Sequence, residues 1–224
     1  MLHALGARAH EGAALRTSLC IVLLGVAIAI AKAAGLRIWP PLLLGGPVPV
    51  MLMASLLQLL PSYVEGVRTA MASNTGEQEL YRLSPSMPMP RDLNRALAKM
   101  LLRRFAKIWL VVVAALMGLH FAMTGRFWSA YPLAQASLTL PFACLMLRDY
   151  ARMDVSPRTW RTGVRTLCFI AASAVYIGTV SQSRDFPWLI PATIVAVGSL
   201  LVLWRRWAAM MQAPPAFPAG RLAQ

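Results

Sequence analysis

The chain has 224 residues, 58% of them hydrophobic and only 13% charged, with a mean hydropathy of +0.59. Soluble domains carry about 25% charged residues, so this composition argues against an ordinary soluble enzyme and for a membrane protein. The net charge of +14 and pI near 11.2 would point to nucleic acid in a soluble chain, but beside long apolar runs they mark a cytoplasmic membrane face instead.

Residues 1–16 read as a cytoplasmic N-terminal segment. A spanning helix needs about 20 apolar residues. Six segments approach that length: Thr17–Leu36, Trp39–Val64, Phe105–Met123, Ala130–Leu147, Thr166–Gln182 and Phe186–Trp204, the fourth and fifth being the weakest. Lys32 and Arg37 follow the first run, with no small-residue cleavage pattern, so it reads as a span and not a signal peptide. Pro40, Pro41, Gly45, Gly46, Pro47 and Pro49 make the start of the second span irregular. In lipid the freed backbone groups need internal partners, and a kinked turn is the simpler reading than a pore element.

Between the second and third spans lies a loop, residues 65–106, with two helical signals. In the first, Thr75 followed by Gln78 is a capping-box pattern. Glu77 and Glu79 complement the positive end of the helix dipole, Leu80 and Leu83 share a face beside Tyr81, and Pro85 stops the helix. Two turns are too short to stand alone in water, so this helix must lie against something, and its acidic residues favour a protein partner over an anionic membrane. In the second, Asp92 is placed to cap a helix with Leu93, Leu97, Met100 and Leu101 on one face. Arg91, Arg95, Lys99, Arg103 and Lys107 recur every four residues on the other. Such a basic amphipathic helix running into a span reads as lying on the membrane surface.

The cations set the orientation. With the N-terminus inside, only Lys32, Arg37, Arg126 and Arg184 of the 22 fall outside, which is the positive-inside bias and places both termini in the cytoplasm. Trp39, Trp128 and Trp188 fall at the outer boundary and Trp109, Trp160, Trp204 and Trp207 near the inner one, as aromatic belts do. The outer connectors are short.

Deep within the six spans no Asp, Glu, Lys or Arg occurs, which argues against a proton- or ion-coupled transporter. There is no GxxxxGK[ST], so any ATP would be bound by a partner. Cys20, Cys144 and Cys168 lie in apolar runs without metal-ligand spacing, and neither a disulfide framework nor a metal site is expected. No acid, base and nucleophile converge, so the chain is not expected to be an enzyme.

The stretch Glu77-Gln-Glu-Leu-Tyr-Arg-Leu-Ser-Pro85, running to Leu93-Asn-Arg95, is similar to the E-x-x-x-L-R-L-x-P … L-N-R pattern of some bacterial ABC-2 type export permeases. Six spans with both termini inside also resemble the membrane subunit of that family. The resemblance implies that Glu77, Glu79, Leu80, Tyr81, Arg82, Leu83 and Pro85 form a coupling helix seated on a separate ATPase subunit. The Ser183–Asp185 connector departs from the family in being too short for a re-entrant element before the last span.

The expectation is an all-α, polytopic inner-membrane protein of about six transmembrane helices, with its membrane domain at 17–206 and a Pro/Ala-rich cytoplasmic tail at 207–224. The expected partners are membrane lipids, met by Arg91, Arg95, Lys99 and Arg103, and an ATPase, in a homo- or hetero-oligomer without nucleic acid. No cofactor is expected. The alternative is a non-catalytic membrane scaffold that uses the same loop for docking.

Overall fold

The computed structural model describes residues 7–34, 47–73, 90–124, 136–150 and 189–216. Among these residues the chain is all-α, with no strand. The helices are α1 (Ala7–Ala33), α2 (Pro47–Ser73), α3 (Pro90–Thr124), α4 (Pro141–Met146) and α5 (Leu189–Gln212).

The core is the seam between α2 and α3. Met53, Leu56, Leu60, Tyr63, Val67 and Met71 on α2 face Leu97, Leu101, Phe105, Ile108, Val112, Leu116 and Leu119 on α3, all buried. Apolar residues recurring at three and four positions keep one stripe of each helix on its neighbour over many turns. α1 lies against both, α4 sits across α2, α3 and α5, and α5 also packs on α3. Hydroxyls in these helices bond back to their own backbone, Ser55 to the carbonyl of Met51 at 2.7 Å and Ser199 to that of Val195 at 2.6 Å.

Several boundaries differ from the sequence reading. Pro47 and Pro49 begin α2 instead of only disturbing it, because a proline in the first turn gives up an N–H that has no helical partner. Pro61 lies inside the same helix and is buried. It removes the N–H that would bond the Leu57 carbonyl, a position where helices bend. Asp92 does not cap α3: the helix starts at Pro90 and Asp92 falls in its first turn, where its charge opposes the helix dipole favourably.

The fourth apolar run contains a break. Thr139 N–H bonds the Ala136 carbonyl at 3.1 Å and Leu140 N–H that of Ser137 at 3.0 Å, a tight turn before Pro141 opens α4. The boundary expected at Arg206 falls inside α5, which continues to Gln212. Met210 and Ala216, expected in a tail, are buried in the core.

Two helices are apolar but little covered by the rest of the molecule. Among the described side chains of α1, Ser18 and Ile21 are buried, whereas Leu15, Leu19, Leu23, Leu24, Val26 and Ile30 are exposed, Ile30 at 63%. On α5, Ile190, Ile194, Val197, Leu200, Leu201 and Val202 are exposed, Ile194 at 66%. One segment among the described residues, Ala192–Gln212, is long and apolar enough to cross a membrane.

Candidate functional site

The N-terminal half of α3 builds the site. Leu93, Leu97 and Leu101 are buried, while Arg95, Lys99, Arg103 and Lys107 are all exposed on the opposite side. Arg91 begins the same row in the first turn of the helix; its side chain lies outside the described residues. Four-residue spacing advances only slightly around a helix, so these cations form one row up its outer face. Above Lys107 the same face turns apolar, with Leu110 59% exposed and Phe121 46%. The change from cations to apolar side chains happens within one turn.

Asn94 lies on the inward side of this helix and is 5% exposed. Its Nδ2 donates to the carbonyls of Met210 at 3.0 Å, Ala213 at 3.0 Å and Pro214 at 3.1 Å. Its Oδ1 accepts from the Ala216 N–H at 3.0 Å. Only this orientation of the amide satisfies all four groups, since the reverse would set oxygen against carbonyls. The carbonyls at the end of a helix have no intrahelical partner, and here a side chain from another helix serves them. Asn94 therefore ties the start of α3 to the end of α5.

Polar groups of α2, α4 and α5 gather at the same end. Arg68 pairs with Glu65 at 3.6 Å, and Arg206 Nη1 donates to the Cys144 carbonyl at 3.1 Å. Tyr150 is buried and donates its hydroxyl to the Met146 carbonyl. Burial pushes its phenol well above the usual tyrosine range, and the nearby charges of Arg68 and Arg148 only partly offset that. Higher in the bundle, Trp109 Nε1 donates to the Ala136 carbonyl at 3.1 Å and to Thr139 Oγ1 at 3.2 Å, pinning the turn before α4 to α3.

Of the residues expected to bind a partner, Glu77, Glu79, Leu80, Tyr81, Arg82, Leu83 and Pro85 lie outside the described residues. So do the fifth expected span and the connectors on the far side. What is described is the frame around the loop, with α2 ending at Ser73 and α3 beginning at Pro90. Asn94 entered the sequence reading only as the middle of Leu93-Asn-Arg95, and neither it nor Tyr150 or Arg206 was expected to bind anything. Asn94 carried a usable signal, a polar amide set among the apolar positions Leu93, Leu97 and Leu101. Its partners lie more than a hundred residues away, and no local pattern names them.

Among the described residues no group of His, Cys, Asp or Glu is arranged to hold a metal. Comparison with protein-family models, curated proteins and solved structures returns no match.

Proposed function

We propose that this chain is a multi-pass inner-membrane protein of about six spans, a permease subunit resembling ABC-2 exporters, driven by a separate ATPase docked on the loop between α2 and α3. The observation that carries the membrane part is the uncovered apolar surface of α1 and α5. A helix that is apolar all round is stable only when something other than water surrounds it. Here the rest of the molecule does not: Leu19 is 59% exposed and Leu200 62%. The outer face of α3 supports the same reading. Its 35 residues span about 52 Å at 1.5 Å per residue, well beyond the roughly 30 Å hydrocarbon core. The excess matches the cation-bearing stretch below Leu110, which would then lie at the inner surface.

Coupling to an ATPase is supported by the frame around the loop. The loop expected to carry the docking residues runs in sequence from the end of α2 at Ser73 to the start of α3 at Pro90, two long helices that form the core seam, and α3 is unbroken from Pro90 to Thr124. A displacement at the loop would reach the bundle through rigid elements. The chain itself supplies no catalytic group in this reading, and ATP acts only through the partner. A second reading, a membrane scaffold that docks a partner on the same loop, is favoured by the Asn94 clamp, which fixes the C-terminal segment against α3.

The test is co-purification of an ATPase with the tagged chain. Leu83→Asp should abolish it and leave membrane insertion unchanged, because losing one buried anchor of a small interface commonly costs about 2 kcal/mol or more. Retention of the ATPase by Leu83→Asp overturns the coupling-helix reading. If no ATPase accompanies the parent chain, the scaffold reading takes its place.

A further inference from the structure

Between residues 147–149 and the C-terminal part of α5 lies a cleft of about 500 Å³. Arg148 lines it from the segment after α4 and Arg206 from α5, with Asp149 the acidic residue of its wall. Glu65 on α2 is engaged by Arg68. That leaves two guanidinium groups against one carboxylate in the cleft. The bond from Arg206 to the Cys144 carbonyl holds its guanidinium in place while leaving further N–H donors. Partial desolvation, then repulsion from Arg68 and Arg206, lowers the pKa of Arg148 from its usual value, although an arginine remains charged at any physiological pH. Arg68, whose charge acts on Arg148, has its Nε buried without a hydrogen-bond partner.

We propose that this cleft binds a phosphate group, clamped by Arg148 and Arg206. Two guanidinium groups converging from different elements suit phosphate, because each can give a pair of parallel N–H bonds to its oxygens. Leu147, Ala209 and Met210 supply an apolar wall beside the cations. A phosphate that carries acyl chains fits both parts of the cleft, and basic pockets between helices on the cytoplasmic side of a bilayer hold such headgroups. The lipid source rests on the membrane reading above, whereas the phosphate site rests on the cleft itself.

The experiment uses the full chain in neutral detergent with Arg95, Lys99 and Arg103 replaced by Gln, so that the exposed row does not contribute. Unfolding temperature is followed against added phosphatidylglycerol, phosphatidylcholine and inorganic phosphate. Phosphatidylglycerol should stabilise the protein and phosphatidylcholine should not. Arg148→Gln should weaken the phosphatidylglycerol response about fivefold in concentration. Arg148 is exposed, so the variant is expected to fold; Asp149→Asn, which removes the opposing carboxylate, should strengthen the response and provides a second reading. An Arg148-dependent response to inorganic phosphate instead would support the site with a soluble source, and topology mapping would then judge the membrane reading separately. Responses to both ligands that ignore Arg148→Gln and Asp149→Asn overturn the proposal.

Discussion

Removing the amide of Asn94 would strand the buried Met210 carbonyl and Ala216 N–H, together with the part-buried carbonyls of Ala213 and Pro214. Each buried group left unpaired costs about 1–3 kcal/mol, and relaxation of the chain end recovers part of that. Asn94→Ala should therefore lower the unfolding midpoint in detergent by an amount corresponding to roughly 2 kcal/mol. Asn94→Asp should be worse, because a carboxylate has no N–H to give and repels the same carbonyls. An unchanged midpoint in both variants would show that the clamp contributes nothing. Tyr150 makes a different prediction. Its phenol is neutral when buried, with a folded pKa above the unfolded value of about 10. The unfolded chain therefore binds fewer protons at alkaline pH, and the stability this group contributes is present below about pH 10 and falls above it. Tyr150→Phe should flatten the decline of the unfolding midpoint as the pH rises above about 10, whereas an undiminished slope would assign the decline to other groups.

The informative element is α3, because one helix carries a buried seam and an exposed face of changing character. Its faces were legible in the sequence: Leu93, Leu97 and Leu101 against Arg95, Lys99 and Arg103 separate by helical period alone. Its start was not. Pro90 outcompetes Asp92 as the first marker because its fixed backbone angle already suits a helix. The exposed cations predict a salt-dependent interaction. A loop peptide spanning 74–107 should bind anionic vesicles, and replacing Arg95, Lys99 and Arg103 with Gln should weaken binding most at low salt, where screening is least. Binding that stays the same across salt would assign this row to a protein surface. The break before Pro141 was less legible, since the Trp109 bonds that hold it come from a helix almost thirty residues earlier.

At the level of the whole molecule, the Asn94 clamp puts the start of α3 and the end of α5 at one end of the bundle. The same two segments are the ones expected in the cytoplasm from the cation bias of the sequence, an expectation that labelling tests. Single cysteines in a background lacking Cys20, Cys144 and Cys168 test the orientation. Positions 86 and 156 should react only from the cytoplasmic side, and positions 129 and 183 only from the other; labelling of position 86 from outside overturns the topology. The uncovered faces of α1 and α5 belong to this scale too. A stretch of apolar side chains gives the same hydropathy whether it ends in a core or at a surface, and only packing separates the two.

Helical class and the division of α3 into an apolar and a cationic face were determined by the sequence alone, because residue type and a period of 3.6 are local properties. The apolar character of α1 and α5 was determined in the same way. Which of those apolar residues are covered, and which helix ends meet, was decided only by the tertiary structure. The amide of Asn94 finds the carbonyls of Met210, Ala213 and Pro214 only after α3 and α5 have packed. Arg148 and Arg206 come to face one cleft for the same reason: contacts between distant segments depend on how whole helices pack, and no window of neighbouring residues contains that information.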